Sequence, residues 1–325
     1  MDPYKQLFYQ SAKAATEAAD EATMKGSLPA RQTLQLPRPS MNFTASDCGG
    51  SLDMFALFSP RGTSEGRILY SNTNGEAGLY DADRHVHNTL GLLKEPKGLS
   101  PICLSIAHPG SNEDSILALK TWRWRLLPPP PFVRQPGYNP SDITAYTTLV
   151  DGSGCSTIYV SCSDGIGTYR FETARHDPSC RKGWRPSEEW SYVGAWGLPF
   201  DGGAQYVPEF NLWFGFSDVF PNHLCAADLS AMDRERRPPT VLQDWQDVNL
   251  PDGQVWLPVY CNLVNLGNGK FVIAKTLESE ETGERFAALT GVEMMAGVGD
   301  DQSLTMVKHK CAHFVFGEDT IERVL

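Results

Sequence analysis

The chain has 325 residues, a formal net charge of −11, 41% hydrophobic and 21% charged residues. That composition supplies a real apolar core, and the length fits one large all-β or α/β domain or two ordinary ones. The negative balance argues against binding through nonspecific phosphate contacts, so no nucleic-acid partner is expected; no apolar run approaches the ~18 residues of a membrane span, so no membrane association is expected either.

The first predicted element is a helix. Tyr4, Leu7, Phe8, Ala12, Ala15, Ala18 and Ala19 recur at three- and four-residue steps, with Ser11 on the same face, until Gly26 and Pro29 end the pattern. The stretch 28–39 holds three prolines and reads as a linker, so residues 1–40 form a helix-plus-linker segment and 41–325 the body. Glu17, Asp20 and Glu21 interrupt the alanine-rich stretch, which disfavours a secretory signal; these acids, with no arginine before Arg31, also disfavour a mitochondrial presequence. A cytoplasmic or nuclear location is expected. The eight cysteines include no C-x-x-C pair and read as reduced thiols, with Cys103, Cys162, Cys225 and Cys261 inside apolar segments.

From about Met41 the pattern changes to short β segments between turn clusters. Strands are predicted at 53–58, 67–71, 77–82, 102–107, 115–119, 143–150, 157–161, 167–173, 190–196, 204–207, 212–217, 223–228, 240–245, 261–266, 271–275, 286–292 and 304–316. Asn74-Gly75, Asp151-Gly152, Asp164-Gly165, Asp252-Gly253 and Asn268-Gly269 supply turn chemistry. Many short strands without crossover helices imply antiparallel β structure.

The strands recur in fours. ITAYTTLV, TIYVSC, GTYRFET and WSYVGAW make one unit; GAQYVPE, LWFGFS, HLCAADLS and TVLQDWQDV the next; YCNLVNLGN, KFVIAK, RFAALTGV and LTMVKHKCAHFVF the last. Trp124, Trp196 and Trp245 each precede a Leu-Pro pair near a unit end. Units of ~40–50 residues and about four strands describe β-propeller blades, and 41–325 accommodates five or six of them. The expected fold is therefore all-β, a single propeller behind a short N-terminal helix.

The stretches WRWRLLPPPPFV (122–133), GTYRFETARHD (167–177), EWSYVGAWGLPFDGGAQYVPEFNLWFGF (189–216) and HLCAADLS (223–230) resemble a grass-expanded plant family of unknown function, similar to kelch-like F-box-associated propellers. Gly202-Gly203 followed by Tyr206 and Trp213 is kelch-like in residue types. The resemblance implies a kelch-like propeller used for protein recognition. Ligase-adaptor relatives would carry an F-box bundle of about 45 residues before the propeller; here one alanine-rich acidic helix stands in that place.

Catalytic patterns are weak. His309, Cys311 and His313 alternate in TMVKHKCAHFVF, which on a regular strand places all three on one face as a candidate metal set. Asp81, Asp83, His85 and His87 alternate in the same way. No nucleophile elbow, phosphate loop or dinucleotide fingerprint is present, and the paired carboxylates fall in polar loops. No cofactor is expected. Trp122-Arg123-Trp124-Arg125 places tryptophans on one strand face and arginines on the other, consistent with core packing behind a basic edge.

Binding is the remaining function. Long loops at 128–142, 175–189, 218–223 and 231–240 carry Phe132, Arg134, Tyr138, Trp184, Arg185 and Phe220, residue types enriched where binding energy concentrates. These six are the expected contacts for a protein partner. Two alternatives stand beside that reading: a metal-dependent enzyme using His309, Cys311 and His313, and an N-terminal helix that docks a partner or targets an organelle rather than capping the propeller.

Overall fold

A computed structural model describes residues 3–24, 32–34, 43, 52–57, 66–93, 101–104, 106, 127–150, 155–163, 165–173, 175–176, 184–185, 189–232, 237–250, 254–297 and 303–315. In chain order, helices α1 (Pro3–Leu7) and α2 (Ala12–Met24) precede a short strand β1 (Gln32–Leu34). A sheet of β2 (Leu52–Leu57), β3 (Arg67–Asn72), β4 (Ala77–Asp81) and β5 (Val86–Thr89) follows. Next come β6 (Ile143–Val150), β7 (Ser156–Cys162) and β8 (Gly167–Glu172), the two-residue pair β9 (Arg175–His176) and β10 (Trp184–Arg185), and β11 (Ser191–Gly194). Two further sets of four complete the order: β12 (Phe200–Val207), β13 (Leu212–Ser217), β14 (Leu224–Asp228) and β15 (Thr240–Trp245), then β16 (Trp256–Gly267), β17 (Lys270–Ser279), β18 (Arg285–Ala296) and β19 (Leu304–Val315).

The protein is mostly β, in several sheets, and the strands are grouped in fours. The orders β2-β3-β4-β5, β6-β7-β8-β11, β12-β13-β14-β15 and β16-β17-β18-β19 each place sequence neighbours side by side, apart from the small β9–β10 excursion. The last three groups coincide with the three recurrent units of the sequence. The chain divides into two compact units: Met1–Arg38 with Thr144–Tyr146 and Trp196–Leu325, and Pro39–Ile143 with Thr147–Ala195.

In the first unit, the sheet β16–β19 is buried on both faces. Along β17, Phe271 and Ile273 join Val207, Phe214, Phe216, Leu224 and Ala226 from β12–β14 in one apolar cluster. The intervening Val272 and Ala274 face Leu7 and Phe8 together with Ala287, Leu289, Ala312 and Phe314. The near-continuous apolar run FVIA in β17 is what a strand covered on both sides requires. Burying a phenylalanine such as Phe271 completely contributes about 1.5–3 kcal/mol. Asn268 and Gly269 both adopt positive φ, 53° and 72°, in the two-residue turn between β16 and β17, as the Asn-Gly signal demands. Within this same unit Ala145 and Tyr146 run parallel to Gly202 and Gly203.

The second unit is built from shorter strands. Met54, Ala77 and Leu93 form a small core, with Leu69, Leu90 and Cys103 packed against it. Every residue of β5 is exposed. Elsewhere in this unit Phe132, Tyr159 and Phe171 are fully buried.

Four sequence expectations are corrected. The N-terminal helix is two helices, because Ser11 caps a new one: its Oγ accepts the Ala14 N–H at 3.2 Å. The proline-bearing stretch 28–39 contains β1, which pairs in parallel with Ala312–Phe314 of β19. Residues 101–104 and 106 form no strand. β4 ends at Asp81, and His85 sits in the following turn with φ 54°, so the alternation of Asp81, Asp83, His85 and His87 is not that of one strand face. The Asp81 carboxyl instead accepts the Arg84 backbone N–H at 2.9 Å, which holds its pKa below the usual value, with Arg67 at 3.7 Å adding to the effect. The expected strand 115–119 and the Trp122–Arg125 segment lie outside the described residues.

Candidate functional site

The most heavily charged buried point among the described residues is built around Lys275 and Asp247, 3% and 1% exposed. Lys275 projects from β17 on the face shared with Phe271, Ile273 and Leu277, and Asp247 follows the end of β15. The Lys275 ammonium donates to both Asp247 carboxylate oxygens, at 2.9 and 2.8 Å, and to the Asn222 carbonyl at 2.7 Å. Asp247 also accepts the Leu224 backbone N–H at 2.9 Å. All three ammonium protons are used, and the nitrogen lies 4.9 Å from the centre of the Phe216 ring. A buried lysine with every donor satisfied locks geometry rather than acting as a base or nucleophile.

That lock braces the loop between β13 and β14. Asn222, held at φ 56°, donates its side-chain amide to the Ser217 carbonyl at 2.9 Å and to Asp201 at 3.2 Å, while its carbonyl receives Lys275. Its backbone N–H donates to the Val219 carbonyl at 2.9 Å, and Ser217 Oγ accepts the Val219 N–H at 3.1 Å. The tip of this fixed loop holds Val219 and Phe220 out to solvent, 68% and 58% exposed. Burial and the neighbouring Asp218 raise the Asp201 carboxyl above its usual pKa.

Beside the loop lies a cavity of about 20 Å³ lined by Pro221, His223, Asp247, Trp256 and Lys275. It has room for one water-sized group. His223 Nδ1 lies 3.9 Å from Asp247, and the buried Trp256 Nε1 faces no hydrogen-bond acceptor among the described residues.

Burial disfavours ionisation of the thiols of this region. Burial pushes Cys225 and Cys261 up to about 12, with Asp247 adding to both and Lys275 partly opposing at Cys261. Cys162, in the other unit, is pushed to about 11 by burial and Asp142. A thiol so far above neutrality holds almost no thiolate.

The residues expected to contact a partner are distributed unequally. Phe220 is exposed on the braced loop. Arg134 is exposed in the 3₁₀ turn Pro131–Arg134. Tyr138 is half-buried, and burial, with Cys162 and Asp142, raises its phenol pKa. Phe132 is fully buried against Tyr138 and Tyr169, ring centres 5.8 and 5.2 Å away, and so offers no surface. Its proline-rich surroundings, which suggest an open loop, instead form two 3₁₀ turns, the second closed by an Asn139–Asp142 capping box. Trp184 and Arg185 form β10, and their side chains lie outside the described residues.

His309, Cys311 and His313 do not share a face. Cys311 pairs with Thr290, but Lys308 pairs with Val292, so β19 carries one extra residue opposite Gly291. The bulge reverses the alternation. Cys311 packs with Val248, Trp256 and Leu277, and His313 lies against Phe286 in that same cluster. His309 turns to the opposite face, against Phe8 and Tyr9. Among the described residues no three His, Cys, Asp or Glu side chains gather as a metal set.

Sequence reasoning missed the Asp247–Lys275 lock. Its signal is the lone lysine inside FVIAKTL: on a strand buried on both faces, such a charge requires a partner.

The fold and this site define a largely β protein with a Lys275–Asp247 pair buried beneath a braced loop that holds two apolar side chains, Val219 and Phe220, out to solvent. The chain belongs to the family described as a protein of unknown function, DUF1668, whose model matches residues 1–314. No curated protein matches it. No helix among the described residues is long and apolar enough to cross a membrane.

Proposed function

We propose that this protein is a non-catalytic protein-interaction module, a kelch-like β-propeller of five or six blades that recognises a protein partner through its loops. The observation that carries the reading is the Val219–Phe220 tip, exposed yet fixed through Asn222 to the buried Lys275–Asp247 pair. An aromatic side chain held in place before binding loses little entropy on contact, which is how a single loop residue contributes strongly to affinity. The recurrence of four-stranded sheets supports the propeller, since blades are built from such units. The partner presents an apolar pocket to Phe220. A cytoplasmic or nuclear setting suits a chain whose described cysteines are thiols.

The test is affinity capture from the source tissue with the intact chain and with Phe220→Asp, read by mass spectrometry and by elemental analysis of the same preparation. The expected result is a stoichiometric partner on the wild type, with affinity lowered by about 2 kcal/mol, roughly thirtyfold in Kd, in the variant. Absence of a stoichiometric partner together with about one equivalent of a bound transition metal would overturn the reading.

A further inference from the structure

The N-terminal segment is seated on the last sheet by features that serve that purpose. Leu7 and Phe8 are buried on the β16–β19 face. A Cβ at Gly291 would fall on the Leu7 carbonyl oxygen, so glycine leaves the notch that Leu7 occupies. The bulge in β19 lies opposite that glycine and turns His309 onto the same face. The Tyr9 backbone N–H then donates to His309 Nδ1 at 3.2 Å, and the other ring nitrogen, Nε2, meets Glu293 at 3.1 Å. The Tyr4 hydroxyl donates to the Leu266 carbonyl at 3.0 Å.

These bonds specify a protonation state. Nδ1 accepts a hydrogen bond from the Tyr9 backbone N–H and therefore carries no proton itself; the proton of the neutral ring is on Nε2, directed at Glu293. We infer that the segment Pro3–Tyr9, with α2 behind it, is a latch on the outer face of β16–β19 that holds only while His309 is neutral and releases on acidification. A second proton on His309 can go only to Nδ1, where it meets the Tyr9 N–H and converts an attraction into a clash of two donors.

Burial of the ring, the largest influence on it, acts in the same sense and outweighs its charged neighbours. From β18, Glu293 favours the protonated ring. From β17 and β19, Lys270 and Lys310 oppose it, as does burial, and the net direction is a lowered pKa. The two lysines also lie over Phe8 and Tyr9, at 5.6 and 4.9 Å from the ring centres. The latch itself brings the tyrosines Tyr4 and Tyr9 and Lys5; α2 carries an exposed Lys13–Glu17 pair at 3.7 Å, with Asp20 and Glu21 beyond. Because docking keeps the imidazole neutral, the released state binds the proton more readily. Docking is at full strength above the ordinary histidine value of about 6.5 and is lost as the pH falls below it. Release uncovers the apolar surface of Val272, Ala274, Leu289 and Phe314.

Amide hydrogen exchange on the intact chain tests this, read as protection factors corrected for the intrinsic pH dependence of exchange, between about pH 7.5 and about 5.5. Protection of residues 3–24 should fall severalfold, up to about tenfold per unit below the histidine value, while β17 amides stay protected. In His309→Gln a neutral amide can make both bonds, and protection should not change with pH. In Gly291→Ala the segment should be released at every pH, with no further loss on acidification. Constant protection of residues 3–24 in the wild type, or a fall in His309→Gln equal to that of the wild type, would overturn the proposal.

Discussion

The sheets β2–β5 and β16–β19 have the same simple strand order and very different foundations. In β16–β19 the strands run 10–12 residues and both faces are covered, one by β12–β15 and the other by Leu7 and Phe8. In β2–β5 they run 4–6 residues over a core centred on Met54, Ala77 and Leu93, and β5 is exposed throughout. Strand order alone therefore says little about stability. What differs is how many faces are buried, and both devices described above, the braced Phe220 loop and the His309 latch, rest on the sheet with two.

The largest effect should come from breaking the buried pair beneath the loop. Asp247→Ala or Lys275→Ala leaves an uncompensated buried charge and should cost about 3–5 kcal/mol in urea unfolding. The double replacement Asp247→Leu with Lys275→Met should cost less than either, because neither charge is then stranded. Phe271→Ala, in the face shared with β12–β14, should cost about 3–5 kcal/mol, whereas Val86→Ala on exposed β5 should stay within about 0.5 kcal/mol. Asn222→Ala removes the loop's brace and a side chain suited to positive φ, and should cost about 1–3 kcal/mol. Cys162, Cys225 and Cys261 should resist alkylation near neutral pH in the native protein and react on unfolding, as their raised pKa values and burial require. The smallest change belongs to Phe220→Asp: stability within about 0.5 kcal/mol, measured by the same unfolding curves, with the loss confined to partner binding.

Much of the strand pattern was legible because it rests on local chemistry. FVIA in β17 and FAAL in β18 are dense apolar runs, and Asn268-Gly269 marks a turn that few other pairs can make. Elements held by distant partners were not legible. β1 has no pattern of its own and exists through its pairing with β19. β5 carries little apolar content beyond Val86. The bulge at His309 left no trace in the alternation of HKCAH, since it is set by Gly291 across the ladder and by Leu7 in the notch. Phe132 lies among prolines that suggest a loop, yet the aromatic partners that bury it are Tyr138 and Tyr169, the second of them far along the chain. Asp247 and Lys275 meet through tertiary packing; only the lysine's apolar neighbours hinted at the pair.

Sheet β16–β19 is the rigid foundation on which the exposed loop is fixed. Native-state hydrogen exchange under increasing denaturant measures it sheet by sheet. Amides of Lys270–Ser279 should exchange only through the highest-energy opening, while those of Arg67–Asp81 should exchange through an earlier one. Equal opening free energies for the two sheets, or earlier opening of β17, would contradict it.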